Sequence, residues 1–351
     1  MNQILTIVGA RPQFIKASVV SKALLENGIQ EEIIHTGQHY DAKMSQVFFD
    51  ELGIPEPVAN LEVGSGHHGA QTAVMLEKIE TYIMSKNRYP KFLMVYGDTN
   101  STLAGALAAS KLHIPVIHVE AGLRSFNREM PEEINRVVTD HISTILFCSS
   151  QTGVKQLASE GITNGVYDCG DVMFDAVQCF LEIARNKQQM VEKPLRYILM
   201  TVHRPSNTDN PKHLEAILNA VAAIDRTVIW PVHPRTQKTL SSLKTPENLK
   251  LIHPQSYFEM LLMISDADCV LTDSGGLQKE AYWLKKRCIT LREETEWIET
   301  LEGKWNQLTG PDTQAILEAF DQKPETSWKP LYGDGNASLK IAGIISEKLK
   351  S

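Results

Sequence analysis

Short, mainly apolar runs alternate along the chain with longer stretches whose apolar positions recur every three to four residues. That alternation predicts strands separated by helices. In the first half the strands are Ile4 to Val8, Glu32 to His35, Phe92 to Val95, Pro115 to Val119, Thr144 to Cys148 and Val166 to Cys169. Helical spacing covers Phe14 to Leu25, Lys43 to Leu52, Ala70 to Met84, Ser101 to Leu112 and Asp171 to Arg185, and a further helix opens at Pro131. The polar stretch from Asn186 to Pro194 reads as a linker. Beyond it the alternation restarts, with strands at Tyr197 to Val202, Thr227 to Val232, Leu249 to Ile252 and Cys269 to Thr272. Helices at Lys212 to Ile224, Pro234 to Leu243 and Tyr257 to Ala267 separate these strands, and Ala337 to Lys350 forms a last helix. Two such series in succession imply an α/β chain of two doubly wound domains.

A length of 351 residues suits two domains with a core each. Lys plus Arg number 35 against 42 for Asp plus Glu, a formal charge of -7, which argues against a general nucleic-acid or anionic-membrane surface. Local basic pockets for phosphate remain compatible with that balance. The five cysteines are odd in number and widely spaced, mostly in apolar runs, and read as reduced core residues with no CxxC pair for zinc or redox chemistry. Met1 to Leu5 leads straight into a strand, and no apolar run is long enough to span a bilayer, so the expectation is a cytoplasmic protein without membrane insertion.

The chemistry concentrates between residues 95 and 136. Asp98 and Glu120 each follow a predicted strand, at the edge where open parallel sheets bind ligands, and Glu132 and Glu133 open the helix at Pro131. Each acid also has a plain structural reading. Asp98 can cap the next helix, Glu120 can pair with Arg124, and Glu132 can serve the helix dipole or pair with Arg136 four residues on. Three acids at neighbouring strand ends favour a carboxylate-lined site, suited to moving protons on a sugar and stabilising positive charge at its anomeric carbon. Gly9-Ala10-Arg11-Pro12 is either an anion-binding turn, assisted by Arg11 and Lys16, or an ordinary strand-to-helix turn. It is neither a GxGxxG nor a Walker sequence. Adjacent His67 and His68 lack a third ligand at suitable spacing, so no metal site is expected. In the second half, His203 and Arg204 stand at one strand end, and Ser274-Gly275-Gly276 opens a helix whose N-H groups suit a diphosphate.

Taken together, Gly9-Ala10-Arg11-Pro12, Thr36-Gly37-Gln38-His39, Tyr96-Gly97-Asp98-Thr99, His118-Val119-Glu120-Ala121-Gly122-Leu123-Arg124, Pro131-Glu132-Glu133-Ile134-Asn135-Arg136, Thr201-Val202-His203-Arg204 and Asp273-Ser274-Gly275-Gly276-Leu277-Gln278-Lys279-Glu280 resemble the ordered motifs of the non-hydrolysing UDP-N-acetylglucosamine 2-epimerases. The resemblance runs from residue 9 to residue 280, and Thr295-Glu296 also fits. It implies a glycosyltransferase-B type fold of two Rossmann-like domains with the active site in the interdomain cleft, and a homodimer. Residues 1–170 would form the N-terminal domain with the catalytic acids and 171–335 the UDP-binding domain, while the helix from 336 to 351 could cross back to the first domain. The implied reaction inverts C2 of UDP-N-acetylglucosamine to give UDP-N-acetylmannosamine, a precursor of surface polysaccharide. UDP is eliminated and then re-added through bound 2-acetamidoglucal, with no NAD, other cofactor or metal.

Carried over by motif, Asp98, Glu120 and Glu132 are the catalytic acids, Arg136 supports them, and His203 lies near the leaving diphosphate. Ser274, Gly275 and Gly276 bind phosphate, Glu280 the ribose, and Arg11 and Lys16 the substrate. Gln38, His39 and Arg204 fall where some members bind a second, activating UDP-sugar. Three departures bear on the sugar. The Ser125 to Met130 segment is short, Thr295-Glu296 is followed by Trp297-Ile298-Glu299, and Gly66 to Thr72 is similar to relatives acting on UDP-2,3-diacetamido-2,3-dideoxyglucuronate. That sugar is the second candidate substrate. A glycosyltransferase of the same fold or a nucleotide-sugar sensor fits less well, because all three acids are present.

Overall fold

The computed structural model of the chain describes residues 3–38, 55–186, 194–232, 234–240 and 243–350. The helix expected at Lys43 to Leu52, residue His39 and most of the expected linker lie outside the described residues.

Seven strands form the first sheet: β1 (Ile4–Val8), β2 (Glu31–His35), β3 (Ala59–Asn60), β4 (Phe92–Tyr96), β5 (Val116–Ala121), β6 (Ile145–Cys148) and β7 (Val166–Asp168). They pair in parallel in the order β3-β2-β1-β4-β5-β6-β7. The second sheet holds β8 (Ile198–Thr201), β9 (Val228–Pro231), β10 (Leu249–Ile252), β11 (Cys269–Thr272), β12 (Arg287–Thr290) and β13 (Asn306–Leu308). Its order is β10-β9-β8-β11-β12-β13, again parallel throughout. In each sheet the strand order reverses once among the central strands, between β1 and β4 and between β8 and β11. Open α/β sheets take their ligands outside the carboxyl ends of strands at such a point. Asp98 follows β4, and His203 and Ser274 follow β8 and β11, so these residues all stand at switch points.

Helices cover the sheet faces, which is why the central strands are apolar on both sides. One core packs Leu5, Ile7 and Val95 against Met75, Ile79 and Ile83 of helix His68–Met84 and the alanines of helix Asn100–Lys111. The latter helix lies very near the sheet: a Cβ on Gly105 would stand 3.0 Å from Val95 Cγ1 and 3.1 Å from Ile7 Cγ1. A separate core gathers Ile198, Met200, Leu214, Ile217, Val228, Trp230 and Leu271 on the second sheet.

The chain divides into two compact units, one running to Ala176 and resuming at Tyr332, the other covering Val177–Leu331. The last helix, Ala337–Lys350, therefore belongs to the first unit. Asp175 anchors its start: the carboxylate accepts Ala337 N at 3.1 Å, Ser338 N at 2.7 Å and Ser338 Oγ at 2.6 Å. Burial pushes this carboxyl above the usual range, against the pull of those three donors.

Several elements were not expected from sequence pattern. β3 is only two residues long, β13 is the polar run Asn306-Gln307-Leu308, and helices Gln151–Ser159 and Thr313–Asp321 each span nine residues. Segments this short have too few turns or alternations to show a period. Asp175→Ala should raise amide exchange across Ala337–Lys350 and cost about 1–3 kcal/mol by leaving buried donors unpaired. Unchanged exchange there would rule out the anchoring role.

Candidate active site

β4 is followed by Gly97, whose φ of 62° turns the chain and sets Asp98 at the sheet's carboxyl edge. Thr99, not Asp98, caps the following helix by accepting Thr102 N, which leaves the Asp98 carboxylate for other partners. Its backbone carbonyl accepts Asn135 Nδ2 at 2.9 Å. The carboxylate pairs with Arg136, whose Nη1 also donates to Glu133 at 3.0 Å. Arg136 thus takes Asp98 and Glu133 as its partners rather than Glu132. Glu132 lies in the first turn of helix Pro131–Ile142, partly exposed.

β5 carries Glu120 in an unusual backbone state. The register with β6 slips between Val119 and Ala121, and Glu120 has a φ of 75°. Non-glycine residues held there cost about 1–3 kcal/mol and persist only where neighbours fix them. Here Gly97 N donates to Val119 O at 3.0 Å on one side. On the other, Gly122 N donates to Asp140 Oδ2 at 3.1 Å. Gly122 has a φ of 81°, and a Cβ on it would lie 2.5 Å from Gly153 O, so both conformation and space demand glycine. The Glu120 carboxylate pairs with Lys16, not with Arg124. Arg124 instead donates to Asp140 at 2.7 Å and holds Glu160 in a two-pronged ion pair.

These pairings decide the local electrostatics. Burial raises the Asp98 pKa above the usual carboxylate range, Arg136 opposes that rise, and the nearby negative charge of Glu120 adds to it. Asp98 is therefore readier to accept a proton than an ordinary surface aspartate. Asp140 is shifted the other way: burial opposes its ionisation, but His118 and Arg124 hold it below the usual range.

The Gly9 turn is closed by its own helix. Gly9 N and Ala10 N donate to Gln13 Oε1 at 2.8 and 3.0 Å, and Gln13 Nε2 reaches Tyr96 O at 2.8 Å, fastening this turn to the Asp98 turn. Arg11 is exposed at the start of helix Arg11–Glu26, whereas Lys16 is buried within it. Gln38 accepts Ser101 N at 3.1 Å and Ser101 Oγ at 2.7 Å.

In the second unit, Asp273 organises the strand ends. Fully buried, it accepts His203 N, Arg204 N and Asn207 Nδ2 at 3.0 to 3.1 Å, and it stands 3.1 Å from His203 Nδ1. Burial opposes its ionisation, yet these donors keep its pKa low. His203 is thereby oriented with its ring more than half exposed. Ser274 caps helix Gly275–Trp283 by accepting Leu277 N at 3.4 Å. A Cβ on Gly275 would lie 3.8 Å from Arg292 Nη1 and 3.9 Å from Glu296 Oε2, so that ion pair flanks the helix start. Burial opposes the ionisation of Glu296, while Arg292 and, less strongly, Arg204 hold it low. Glu280 is buried one turn further along the helix. Among the described residues no three His, Cys, Asp or Glu side chains gather to hold a metal, and no helix is long and apolar enough to cross a membrane.

Sequence reasoning placed Glu133 only at the start of its helix and did not single out His118, Asp140, Asp273 or Arg292. One signal was present for Glu133 and Asp140. Glu133, Arg136 and Asp140 lie on one face of a helix, and a row of charged residues there that is buried needs partners.

A family model described as UDP-N-acetylglucosamine 2-epimerase matches residues 22–346. The chain belongs to the UDP-N-acetylglucosamine 2-epimerase family. It is 50% identical to a UDP-N-acetylglucosamine 2-epimerase homolog of Methanococcus maripaludis, over 98% of this chain and 99% of that one. A UDP-2,3-diacetamido-2,3-dideoxy-D-glucuronate 2-epimerase of Pseudomonas aeruginosa is 45% identical, with the same coverage of each chain. Among solved structures, the Methanocaldococcus jannaschii UDP-GlcNAc 2-epimerase in complex with UDP-GlcNAc and UDP is similar at a TM-score of 0.86 and 41% identity, covering 98% of this chain and 99% of that one. The two parallel sheets are accordingly Rossmann-like units of the glycosyltransferase-B type, and this member of the epimerase family is an isomerase.

Because Arg136 lowers the Asp98 pKa, Arg136→Met should raise it further. The limb of the pH-rate profile due to Asp98 then moves to higher pH, whichever protonation state is active. A limb that stays in place would dissociate Asp98 from the profile.

Proposed function

We propose that the enzyme inverts C2 of UDP-N-acetylglucosamine to give UDP-N-acetylmannosamine without hydrolysis. The similarity to the M. jannaschii enzyme in complex with UDP-GlcNAc and UDP, across nearly the whole of both chains, carries this reading. The first unit supplies the chemistry. Breaking the anomeric C-O bond leaves positive charge at C1, which carboxylates stabilise, and removal of the C2 proton completes elimination to 2-acetamidoglucal. Re-addition of UDP with the proton delivered to the other face of C2 gives the epimer. Asp98 and Glu132 are assigned to proton transfer and Glu120, fixed by Lys16, to the developing cation, with Arg136 holding Asp98 in place.

The second unit supplies the diphosphate site. The start of helix Gly275–Trp283 directs backbone N-H groups and positive dipole at an anion, with Ser274, Gly275 and Gly276 at its opening. His203, oriented by Asp273, is assigned to the leaving diphosphate, Glu280 to the ribose, and Arg11 to the nucleotide. Gln38, His39 and Arg204 are the candidates for contact with an activating UDP-sugar. The family resemblance supports a cytoplasmic homodimer, for which sedimentation equilibrium should return the mass of two chains.

A second substrate, UDP-2,3-diacetamido-2,3-dideoxyglucuronate, is favoured by the 45% identity to the P. aeruginosa enzyme. Incubation with each sugar in deuterated water, followed by NMR, tests both readings. The substrate should gain deuterium at C2 while keeping its UDP; release of free sugar, or no exchange with either compound, would overturn the assignment. Asp98→Asn and Glu132→Gln should each lower kcat by about 10²- to 10⁴-fold, the usual span for a general acid or base. Calorimetry should show UDP affinity unchanged, and near-normal turnover would remove either residue from the proton-transfer step.

A further inference from the structure

His118 is completely buried on β5, and both of its ring nitrogens meet oxygen atoms. Nε2 lies 2.7 Å from the Gly97 carbonyl and Nδ1 lies 2.7 Å from Asp140 Oδ1. A carbonyl can only accept, so Nε2 carries a proton. The other Asp140 oxygen already accepts two donors, Gly122 N and Arg124 Nη1, as an ionised carboxylate does. The buried ring thus bridges the Gly97 carbonyl and Asp140, and ion pairs continue from Asp140 through Arg124 to Glu160.

The ends of this chain matter. His118 Nε2 holds the carbonyl of Gly97, the residue before Asp98. Asp140 holds the amide of Gly122, two residues after Glu120 in its left-handed backbone state. One hydrogen-bonded pair thus ties together the two turns that present Asp98 and Glu120. We infer that His118 and Asp140 are positioning residues for the epimerisation, a buried pair that fixes the spacing of the two acids without touching substrate. The inference rests on the proposed function for its kinetic consequence, but the hydrogen bonding of His118 can be measured independently.

In the full-length protein labelled with 15N-histidine, NMR should show one imidazole whose Nε2-H exchanges slowly with water, as a proton donated to a buried carbonyl does. The signal should disappear in His118→Gln. In Asp140→Asn that proton should exchange faster. Both variants should lose at least tenfold in kcat while KM for the UDP-sugar and UDP affinity stay within about twofold. Partial loss of folded enzyme would also lower apparent kcat at constant KM, so kcat is expressed per UDP-binding site counted by calorimetry, with thermal melts as the check on folding. Should His118→Gln fail to fold, the wild-type spectrum and Asp140→Asn still decide. A His118 N-H that exchanges rapidly in the wild type, or kcat within twofold of wild type in a folded variant, would overturn the inference. Wild-type protein that turns over neither candidate sugar would instead overturn the function reading, and the spectrum would still judge the His118 contacts.

Discussion

Carboxylates crowded at the end of one sheet repel each other, and the first unit matches three of its buried or half-buried ones to cations. Asp98 has Arg136, Glu120 has Lys16, and Asp140 has Arg124. Removing two charges from water costs several kcal/mol per ion, so such pairs are poor devices for stability alone. They persist where placement matters. The helix Pro131–Ile142 contributes Glu133, Arg136 and Asp140 from one buried face, so a single rigid element sets several of these distances at once.

The second unit solves a different problem with the same means. The helix start proposed for the diphosphate has to keep its amides accessible, and the chain leading to it has to be held without consuming them. Asp273 does the holding by gathering the amides of His203 and Arg204 and the side chain of Asn207. The exposed ring of His203 is thus a consequence of an aspartate that is itself wholly buried.

Much of this was legible in the chain. The two strand-helix series gave two parallel sheets, and strand ends located the turns of Asp98, Glu120, His203 and Ser274 because in a parallel sheet the carboxyl ends share one edge. Individual pairings were not. Glu132 and Arg136 have helical spacing, but Arg136 pairs instead with Glu133 and with Asp98, which is remote in sequence. Glu120 meets Lys16 from another element rather than its sequence neighbour Arg124. Spacing within an element reports which residues share a face, while long-range partners depend on strand order and on a register slip that no local pattern encodes.

The first unit is discontinuous, and this has a consequence for how the protein is made. Its closing helix, anchored at Asp175, is synthesised after the entire second unit. Domains usually fold in the order in which they emerge. In this chain the second unit has all its residues available first, and the unit carrying the acids can be completed only afterwards. Completion of the acid-bearing unit is thereby coupled to synthesis of the second unit.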